Sequence, residues 1–323
     1  MKRRLVAYLI IFQLIVIFGI VFDVANKKNS TLGATFVPTA SSRPKYIYPA
    51  VDGLKHFFEL MPDTVNVIVP NWENTGGPKT PVYTINSDGL NQHENINPDK
   101  PDGVFRVAAI GDSFTFGEYV NTEDNFPSKL QRLFEQNCKN RRFETVNLAV
   151  GGYDIRYAVE RYRIRGIKYD SDLIVWLIID DDLRRIDELL LPKNQELEQK
   201  MKEGNLASGP EYAAWLMARN EVINSLGGED EVLKMQEGYL RDLNKHYSRR
   251  LAVFTFKNTD AKYKSVLKDF VNSRGNSFYG EIDDLTKEGL TSLPDGHPSP
   301  LGHERMALGI FEQLRTNRFI DCG

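Results

Sequence analysis

The sequence has little cysteine and no excess of positive charge, and both shortages limit what the protein can do. Only two cysteines, Cys138 and Cys322, occur in 323 residues, and no Cys-x-x-Cys pair is present. Two isolated thiols cannot form a zinc site without His or carboxylate partners at ligand spacing. Forty-one Lys and Arg residues against 44 Asp and Glu leave a net charge of −3, so the basic excess of a nucleic-acid-binding protein is missing. We therefore expect neither a metal centre nor a nucleic-acid partner, and the apolar content of 41% indicates a globular body.

Long apolar runs are also rare, but one lies at the start of the chain. Residues 5–22 follow three basic residues and are interrupted only by one Gln and one Gly. That length is about the minimum that crosses a bilayer as a helix. Residues 1–26 are therefore predicted to form an uncleaved transmembrane signal anchor, with the body outside the cytoplasm by the positive-inside rule. A cleaved secretory signal and a buried soluble helix are the alternatives. The polar residues 27–44 are expected to be a linker.

After residue 101 the chain alternates between short apolar strands and amphipathic helices. The predicted strands are FRVAAI, TVNLAV, LIVWLII and LAVFTF, with a short fifth strand in NSFYGEI. Helices are predicted over Thr122–Asn137 and Ile155–Arg165, and a last helix is capped by Ser299-Pro300. Strands that alternate with helices indicate a parallel sheet with helices on both sides. We therefore predict an α/β fold with a central parallel sheet of about five strands.

Three further regions surround this pattern. Residues 45–100 mix apolar and turn residues and are expected to be an N-terminal extension packed on the main body, residues 101–323. Residues 183–250 contain no strand pattern and are too long for an ordinary loop, so we expect a helical insertion near the carboxyl edge of the sheet. The Arg-rich run Glu160–Lys168 is interpreted as a solvated helix face.

Polar residues and glycines follow the predicted strands. They occur in the segments Gly111-Asp112-Ser113, Gly151-Gly152-Tyr153-Asp154, Asp180-Asp181-Asp182 and Asp295-Gly296-His297. In open α/β sheets, ligands bind outside the carboxyl ends of the strands. We therefore expect these four segments to meet at one rim.

The residue types at this rim suit nucleophilic catalysis. A serine hydroxyl becomes a good nucleophile when a base takes its proton and a carboxylate orients that base; Ser113, His297 and Asp295 supply these types. The backbone N–H groups of Ser113 and Gly152 are suited to hold an oxyanion. Each residue also has a plainer interpretation, as a turn, a helix start or a loop histidine, and taken singly the residues leave that choice open.

Four segments in order resemble the GDSL-type esterases and lipases, the SGNH hydrolases. They are FRVAAIGDSFTFGEYV, VNLAVGGYD, YDSDLIVWLIIDDDL and DGHPSPLGH. The resemblance runs from about Val82 to Leu314 apart from the insertion. It implies a three-layer α/β/α flavodoxin-like sandwich and hydrolysis of carboxylic esters through an acyl-enzyme, with no metal or organic cofactor.

The same resemblance assigns roles to individual residues. Ser113 would be the nucleophile and first oxyanion donor, Gly152 the second donor, His297 the base and Asp295 its orienting acid. In a flavodoxin-like fold the first and last helices of the body usually lie side by side. The resemblance thus also implies a disulfide between the cysteines that follow these helices, Cys138 and Cys322.

Two positions depart from the family pattern. Asp181 stands where the family has an oxyanion-binding asparagine, and an ionised carboxylate can only accept hydrogen bonds. Asp181 can serve if neighbouring carboxylates raise its pKa and keep it protonated; otherwise the site is weak or repurposed. The acid usually lies three residues before the histidine, where this chain has Pro294, whereas Asp295 lies two residues before it.

The sequence therefore predicts a membrane-anchored serine esterase whose hydrolase domain lies outside the cytoplasm, or is secreted if the signal is cleaved. The expected substrates are small O-acyl groups, O-acetyl above all, on an envelope or extracellular polysaccharide, or another small ester. A polysaccharide O-acyltransferase using the same site is one alternative. A non-catalytic glycan- or protein-binding module is the other, because of Asp181.

Overall fold

The computed structural model describes residues 40–70, 76–203, 210–285 and 290–322. The chain divides into two units, residues 1–39 and residues 40–323, and all described residues belong to the second. The predicted signal anchor, residues 1–26, lies outside the described residues, as do residues 27–39 of the predicted linker.

As far as the structure describes the chain, it corrects the expectation of a transmembrane helix. Within the described ranges no helix is long and apolar enough to cross a membrane. A bilayer requires about 20 consecutive apolar residues, whereas the two longest helices there, Asp187–Glu203 and Pro300–Thr316, have 17 residues each and include charged ones.

Ten strands and eight α-helices occur in the described part of the chain. The strands are β1 (Ala40–Ser41), β2 (Tyr46–Ile47), β3 (Glu59–Leu60), β4 (Thr64–Ile68), β5 (Val82–Ile85), β6 (Val104–Ile110), β7 (Arg142–Asn147), β8 (Leu173–Leu177), β9 (Arg250–Phe256) and β10 (Ser277–Ile282). The helices are α1 (Ser113–Phe116), α2 (Phe126–Asn137), α3 (Ile155–Arg161), α4 (Asp187–Glu203), α5 (Pro210–Ser225), α6 (Glu229–Asp242), α7 (Ala261–Asn272) and α8 (Pro300–Thr316).

Five parallel strands form the central sheet, in the order β10-β9-β8-β6-β7. By position in the chain this order is 2-1-3-4-5, which is the flavodoxin-like arrangement with its switch point beside the first strand. The α/β fold with a parallel sheet of five strands is confirmed. The switch point places the loops after β6 and β8 on either side of a crevice, at the carboxyl edge of the sheet.

Both faces of the sheet are covered, and alternate residues of each strand pack on opposite sides. In β6, Ala108 and Ile110 pack with residues of α3, α6 and α7, whereas Phe105 and Val107 pack with residues of α2 and α8. Every residue of β6 and β8 is buried, as is typical of parallel strands covered on both faces. The three-layer α/β/α sandwich is therefore confirmed.

The second strand begins and ends earlier than the apolar pattern predicts. The expected strand was Thr145–Val150, but the pairing of β7 with β6 ends where Asn147 lies opposite Ala109. Residues 148–150 leave the sheet and are nevertheless buried. These residues are apolar because they are buried in the loop that follows the strand. A sequence pattern cannot distinguish buried loop residues of this kind from strand residues.

The N-terminal residues of the described part pack beside this loop. β1, β4 and β5 form a three-stranded mixed sheet, and β2 pairs with β3. The rings of Phe57 and Phe58 lie 5.2 to 6.2 Å from those of Tyr153 and Tyr157, centroid to centroid. These contacts hold the segment against the carboxyl edge of the sheet.

A buried ion pair adds to this contact and corrects the interpretation of the Arg-rich run. Glu59 is buried and pairs with Arg161 and Arg165, and Arg161 also donates to the Gly89 carbonyl oxygen at 2.6 Å. The expectation of a solvated helix face is wrong for Arg161, which is itself buried. A helix pattern cannot reveal this, because the buried partner lies in a segment about a hundred residues away.

Cys138 and Cys322 are joined by a disulfide. Cys138 follows α2 directly and Cys322 lies beyond α8, and these two helices pack side by side through residues such as Phe134 and Phe311. The bond links residues 184 positions apart. It ties the end of the chain to the first long helix of the body.

Candidate active site

Ser113 stands on a tight turn between β6 and α1. Gly111 has φ +146°, and a Cβ at this position would lie 3.0 Å from the Leu177 carbonyl oxygen. Asp112 then caps the helix, because its Oδ1 accepts from the N–H of Phe114 at 2.9 Å. This turn presents the Ser113 hydroxyl at the carboxyl edge of the sheet, where the sequence predicted it.

Ser113, His297 and Asp295 form one continuous chain of hydrogen bonds. The Oγ of Ser113 lies 2.9 Å from Nε2 of His297, and the other ring nitrogen, Nδ1, lies 2.7 Å from Oδ2 of Asp295. This is the geometry in which a carboxylate orients an imidazole that takes a proton from a hydroxyl. The structure thus brings together three residues that lie up to 184 positions apart in the chain.

A tight loop explains why an acid two residues before the histidine can reach its ring. Gly296 has φ +93°, and its N–H donates to the Leu293 carbonyl oxygen at 2.9 Å. The N–H of Leu293 donates in turn to the His297 carbonyl oxygen at 2.7 Å. Asp295 Oδ1 also accepts from the His297 N–H at 3.2 Å. The turn folds the carboxylate back on the imidazole, so the shorter spacing is compatible with a Ser–His–Asp arrangement.

The surroundings of His297 favour its protonated form. Burial by itself would lower the pKa of the imidazole, but the hydrogen bond and charge of Asp295 and the nearby charge of Glu118 outweigh burial and raise it. The rings of Phe114 and Tyr119 lie 5.4 and 5.5 Å from the imidazole. These rings limit the movement of His297, and the carboxylates stabilise the imidazolium that forms when it accepts a proton.

Two backbone N–H groups at the rim are available to a ligand. Within the described ranges, the N–H groups of Ser113 and Gly152 donate no hydrogen bond. Gly152 has φ +83°, a conformation that favours glycine, and both residues line the same cavity. Free N–H groups beside a nucleophile are the usual way to stabilise an oxyanion.

Asp181 lies in the wall of this cavity and is held by two arginines. Its Oδ2 is 2.5 Å from Nη1 of Arg185, and its Oδ1 is 2.8 Å from Nη1 of Arg219. Burial opposes ionisation of this carboxyl, but the two guanidinium groups outweigh burial and lower the pKa of Asp181. The alternative of a protonated Asp181 is therefore wrong. The charge that would repel an oxyanion is instead compensated by the charges of Arg185 and Arg219.

Arg185 also connects the helical insertion to the rim. Its Nη2 donates to the Tyr153 carbonyl oxygen at 2.7 Å, and its Nε lies 3.2 Å from Oδ1 of Asp187. Asp187 and Asp154 accept from each other's backbone N–H groups, at 2.5 and 2.9 Å. Burial raises the pKa of both carboxyls against the opposing charge of Arg185. This network fixes the start of α4 against the loop after β7.

The cavity above Ser113 has a volume of about 620 Å³ and is built from three parts of the chain. The α/β body contributes its floor, with Ser113, Gly152 and His297. The N-terminal residues contribute one wall, which includes Tyr46 and Lys55, and the helical insertion contributes residues of α4 and α5, such as Asn194 and Trp215. The insertion predicted at residues 183–250 therefore takes part in the site rather than lying apart from it.

Three residues of the site were not singled out in the sequence. Arg185 and Arg219 both come after the Asp180–Asp182 segment in the chain. The one signal that could have indicated them is that a cluster of acidic residues needs cations nearby. Glu118 lies five residues after Ser113, within the segment FRVAAIGDSFTFGEYV, but nothing in the sequence indicates that its carboxyl enters the cavity. Within the described residues, no group of three or more His, Cys, Asp or Glu residues is placed to hold a metal ion.

Comparison with known proteins found solved structures with low sequence identity and low TM-scores. No family model and no curated protein matches the chain. A family 3 carbohydrate esterase from Clostridium thermocellum is 14% identical, with a TM-score of 0.41, over 68% of this chain and all of that one. A catalytic mutant of Axe2, an acetylxylan esterase from Geobacillus stearothermophilus, is 16% identical, with a TM-score of 0.40, over 65% of this chain and 94% of that one. TesA is 11% identical, with a TM-score of 0.36, over 65% and 98%. At these values the similarities carry no argument about function, which must come from the geometry of the site.

Proposed function

We propose that the protein hydrolyses carboxylic esters through an acyl-enzyme on Ser113. The observation that supports this most directly is the hydrogen-bonded chain from Ser113 through His297 to Asp295, with distances of 2.9 and 2.7 Å. Ser113 and His297 line a cavity that Gly152 also lines, so the free N–H groups of Ser113 and Gly152 are available in the same cavity. The nucleophile, the base and both oxyanion donors therefore line one cavity, and the orienting acid is hydrogen-bonded to the base.

The first half of the reaction forms the acyl-enzyme. Ser113 Oγ attacks the ester carbonyl carbon while its proton passes to Nε2 of His297. The carbonyl oxygen becomes an oxyanion and accepts hydrogen bonds from the N–H groups of Ser113 and Gly152. The C–O bond to the alcohol then breaks, and the leaving alkoxide takes the proton from His297.

The second half uses the same groups with water as the nucleophile. His297 takes a proton from water, whose oxygen attacks the acyl carbon of the Ser113 ester. The second tetrahedral intermediate collapses, Ser113 Oγ leaves with the proton from His297, and the carboxylic acid is released. Asp295 orients the imidazole through its hydrogen bond and stabilises the imidazolium. Water is the only co-reactant that these steps require.

The cavity supports an acylated saccharide as the substrate class. Its walls combine aromatic rings, including Tyr46, Tyr119 and Trp215, with amide and charged side chains. The rings can cover the apolar faces of a sugar and the polar groups can bind its hydroxyls. These walls therefore suit an acylated saccharide better than they suit a long acyl chain. We also propose that the protein works outside the cytoplasm, since the Cys138–Cys322 disulfide is more stable in an oxidising compartment.

The full chain can be tested with a fluorophosphonate probe and p-nitrophenyl acetate, beside Ser113→Ala. We expect labelling and hydrolysis in the parent chain and neither in Ser113→Ala. Equal labelling of both proteins would exclude Ser113 as the nucleophile. A folded parent chain that is neither labelled nor active would instead favour a binding module. Turnover that requires a sugar acceptor would indicate acyl transfer.

A further inference from the structure

The mechanism described above gives one carboxyl group in the cavity no bond to make: Glu118 enters it only through the charge that raises the pKa of His297. Glu118 follows the turn that ends α1, where Gly117 has φ +92°, and its N–H donates to the Ser113 carbonyl oxygen at 3.0 Å. Its side chain lines the cavity together with Ser113, Gly151 and His297. The backbone therefore fixes Glu118 relative to the nucleophile on the same short turn.

The carboxyl of Glu118 lies directly over Gly151. A Cβ on Gly151 would collide with Oε2 of Glu118, and that same Cβ would lie 3.9 Å from Cβ of Ser113. Glycine at this position thus leaves the space that the carboxyl occupies. The arrangement places an acceptor group beside the position of the scissile ester, on the side of the loop after β7.

Nothing in the described part of the chain binds this carboxyl. Glu118 forms no side-chain hydrogen bond and no ion pair with any described residue, although the carboxylates of Glu59, Asp181 and Asp295 are all paired. Burial, assisted by the charge of Asp295 and opposed by that of His297, raises the pKa of Glu118 to about 7. A partly buried carboxyl that has no partner in the protein is well placed to bind a partner from a ligand.

The rest of the cavity indicates which kind of partner. Formal positive and negative charges balance in its walls, since the three basic side chains Arg43, Lys55 and Arg185 lie there with three carboxyl groups, and neither sign of ligand charge is favoured. Asn194 and Gln195 add amide groups that donate and accept hydrogen bonds. Together these side chains suit a neutral ligand with several hydroxyl groups.

We infer that Glu118 is a specificity-determining residue that accepts a hydrogen bond from a free hydroxyl on the alcohol side of a saccharide ester bound at Ser113. The inference rests on the proposed esterase function and deepens it. Glu118 selects substrates whose alcohol carries hydroxyls beside the ester, whereas His297 and Ser113 act on any ester that reaches them. A site built to bind a hydroxyl strongly disfavours an analogue without it, because the polar group of the protein is then left unpaired.

The test uses the full chain and compares two acetate esters that share a six-membered ring with an acetoxymethyl group. Methyl 6-O-acetyl-glucopyranoside carries free ring hydroxyls, and cyclohexylmethyl acetate replaces the sugar by a carbocycle. In Glu118→Ala we expect kcat/KM for the sugar ester to fall about 10- to 100-fold, the loss typical of a hydrogen bond to a charged group, mainly through KM. Both esters are assayed at a pH above the acidic limb, where His297 is neutral in both proteins, so the carbocyclic ester should change less than about threefold. Glu304→Ala, an exposed glutamate on α8, is the matched control and should behave as the parent.

Equal losses on both esters would overturn the inference, because they would show that Glu118 acts through His297 or through the fold. No loss on either ester would overturn it as well. Acetylcholine, a cationic ester, is the third substrate. If it is turned over preferentially and this turnover depends on Glu118 in the same way, Glu118 binds an ammonium group rather than a hydroxyl, and the proposal of a saccharide is overturned.

A binding experiment distinguishes a failure of the inference about Glu118 from a failure of the proposed esterase function. The sugar ester is titrated into Ser113→Ala and into Ser113→Ala combined with Glu118→Ala, with heat of binding as the readout. Binding that weakens about tenfold or more in the double variant supports the role of Glu118 even if the parent chain hydrolyses nothing. In that case only the esterase proposal fails. An affinity that is unmeasurable or identical in both variants overturns the inference about Glu118.

Discussion

Nδ1 of His297 lies 2.7 Å from Oδ2 of Asp295, although only Gly296 separates the two residues in the chain. The turn at Gly296 folds the carboxylate back along the ring, and the Asp295 side chain also accepts from the His297 backbone N–H. The carboxylate thus fixes both the position of the imidazole and the tautomer that leaves Nε2 able to accept the proton of Ser113.

Asp295→Asn should therefore remove activity without removing the fold. An amide at this position can hold the other tautomer, in which Nε2 carries the hydrogen and cannot act as a base. We expect kcat to fall by about 10³–10⁴-fold, measured with p-nitrophenyl acetate. Asp269→Asn, on the exposed side of α7, is the control. A fall of less than tenfold in Asp295→Asn would show that another group orients His297.

The pH profile should reflect the raised pKa of His297. The base must be neutral to accept a proton, so activity is lost as the pH falls through the pKa of His297. Because that pKa lies above the ordinary value of 6.5, we expect the acidic limb of kcat/KM to have its midpoint above pH 6.5. Glu118, whose own pKa is about 7, is partly ionised in this range, and Glu118→Gln removes the charge by which it raises the pKa of His297, so the limb should move modestly to lower pH. A midpoint that is below 6.5, or that moves upward in the variant, would contradict this electrostatic account.

Asp181→Asn should not improve the enzyme, even though it restores the residue of the family pattern. Asp181 pairs with Arg185 and Arg219, and the variant removes the charge that both guanidinium groups face. We expect the free energy of unfolding to fall by about 1–3 kcal/mol, the range for leaving a buried polar partner unsatisfied, and kcat/KM not to rise. Urea unfolding and ester kinetics measure the two effects. Higher activity at unchanged stability would show that the negative charge of Asp181 does oppose the oxyanion.

The disulfide should contribute strongly to stability. Closing a loop between residues 184 positions apart removes unfolded-state entropy worth about 5 kcal/mol in the chain-entropy model. Cys138→Ser combined with Cys322→Ser should lower the free energy of unfolding by up to that amount, measured by urea unfolding under non-reducing conditions. The parent chain treated with a reductant is the control and should approach the double variant. Two titratable thiols in the untreated parent would show that the bond is absent in solution.

The sequence by itself determined the order of strands and helices and the residues that chemistry requires. Alternating apolar strands and amphipathic helices predict the parallel sheet, because each period reflects local geometry and burial. Ser113, Asp295 and His297 were recognisable because their motifs are local in the chain. The end of the second strand was misplaced because buried loop residues such as Leu148 carry the same apolar signal as strand residues.

Only the tertiary structure decided the electrostatics of the site. Asp181 is ionised because Arg185 and Arg219 lie against it, and Arg161 is buried because Glu59 compensates its charge. Glu118 enters the cavity because Gly151, from a different loop, leaves room for it. A sequence gives the type of each charged group, but its pKa and partner depend on distances across the fold, and these are fixed only when the separate segments pack together.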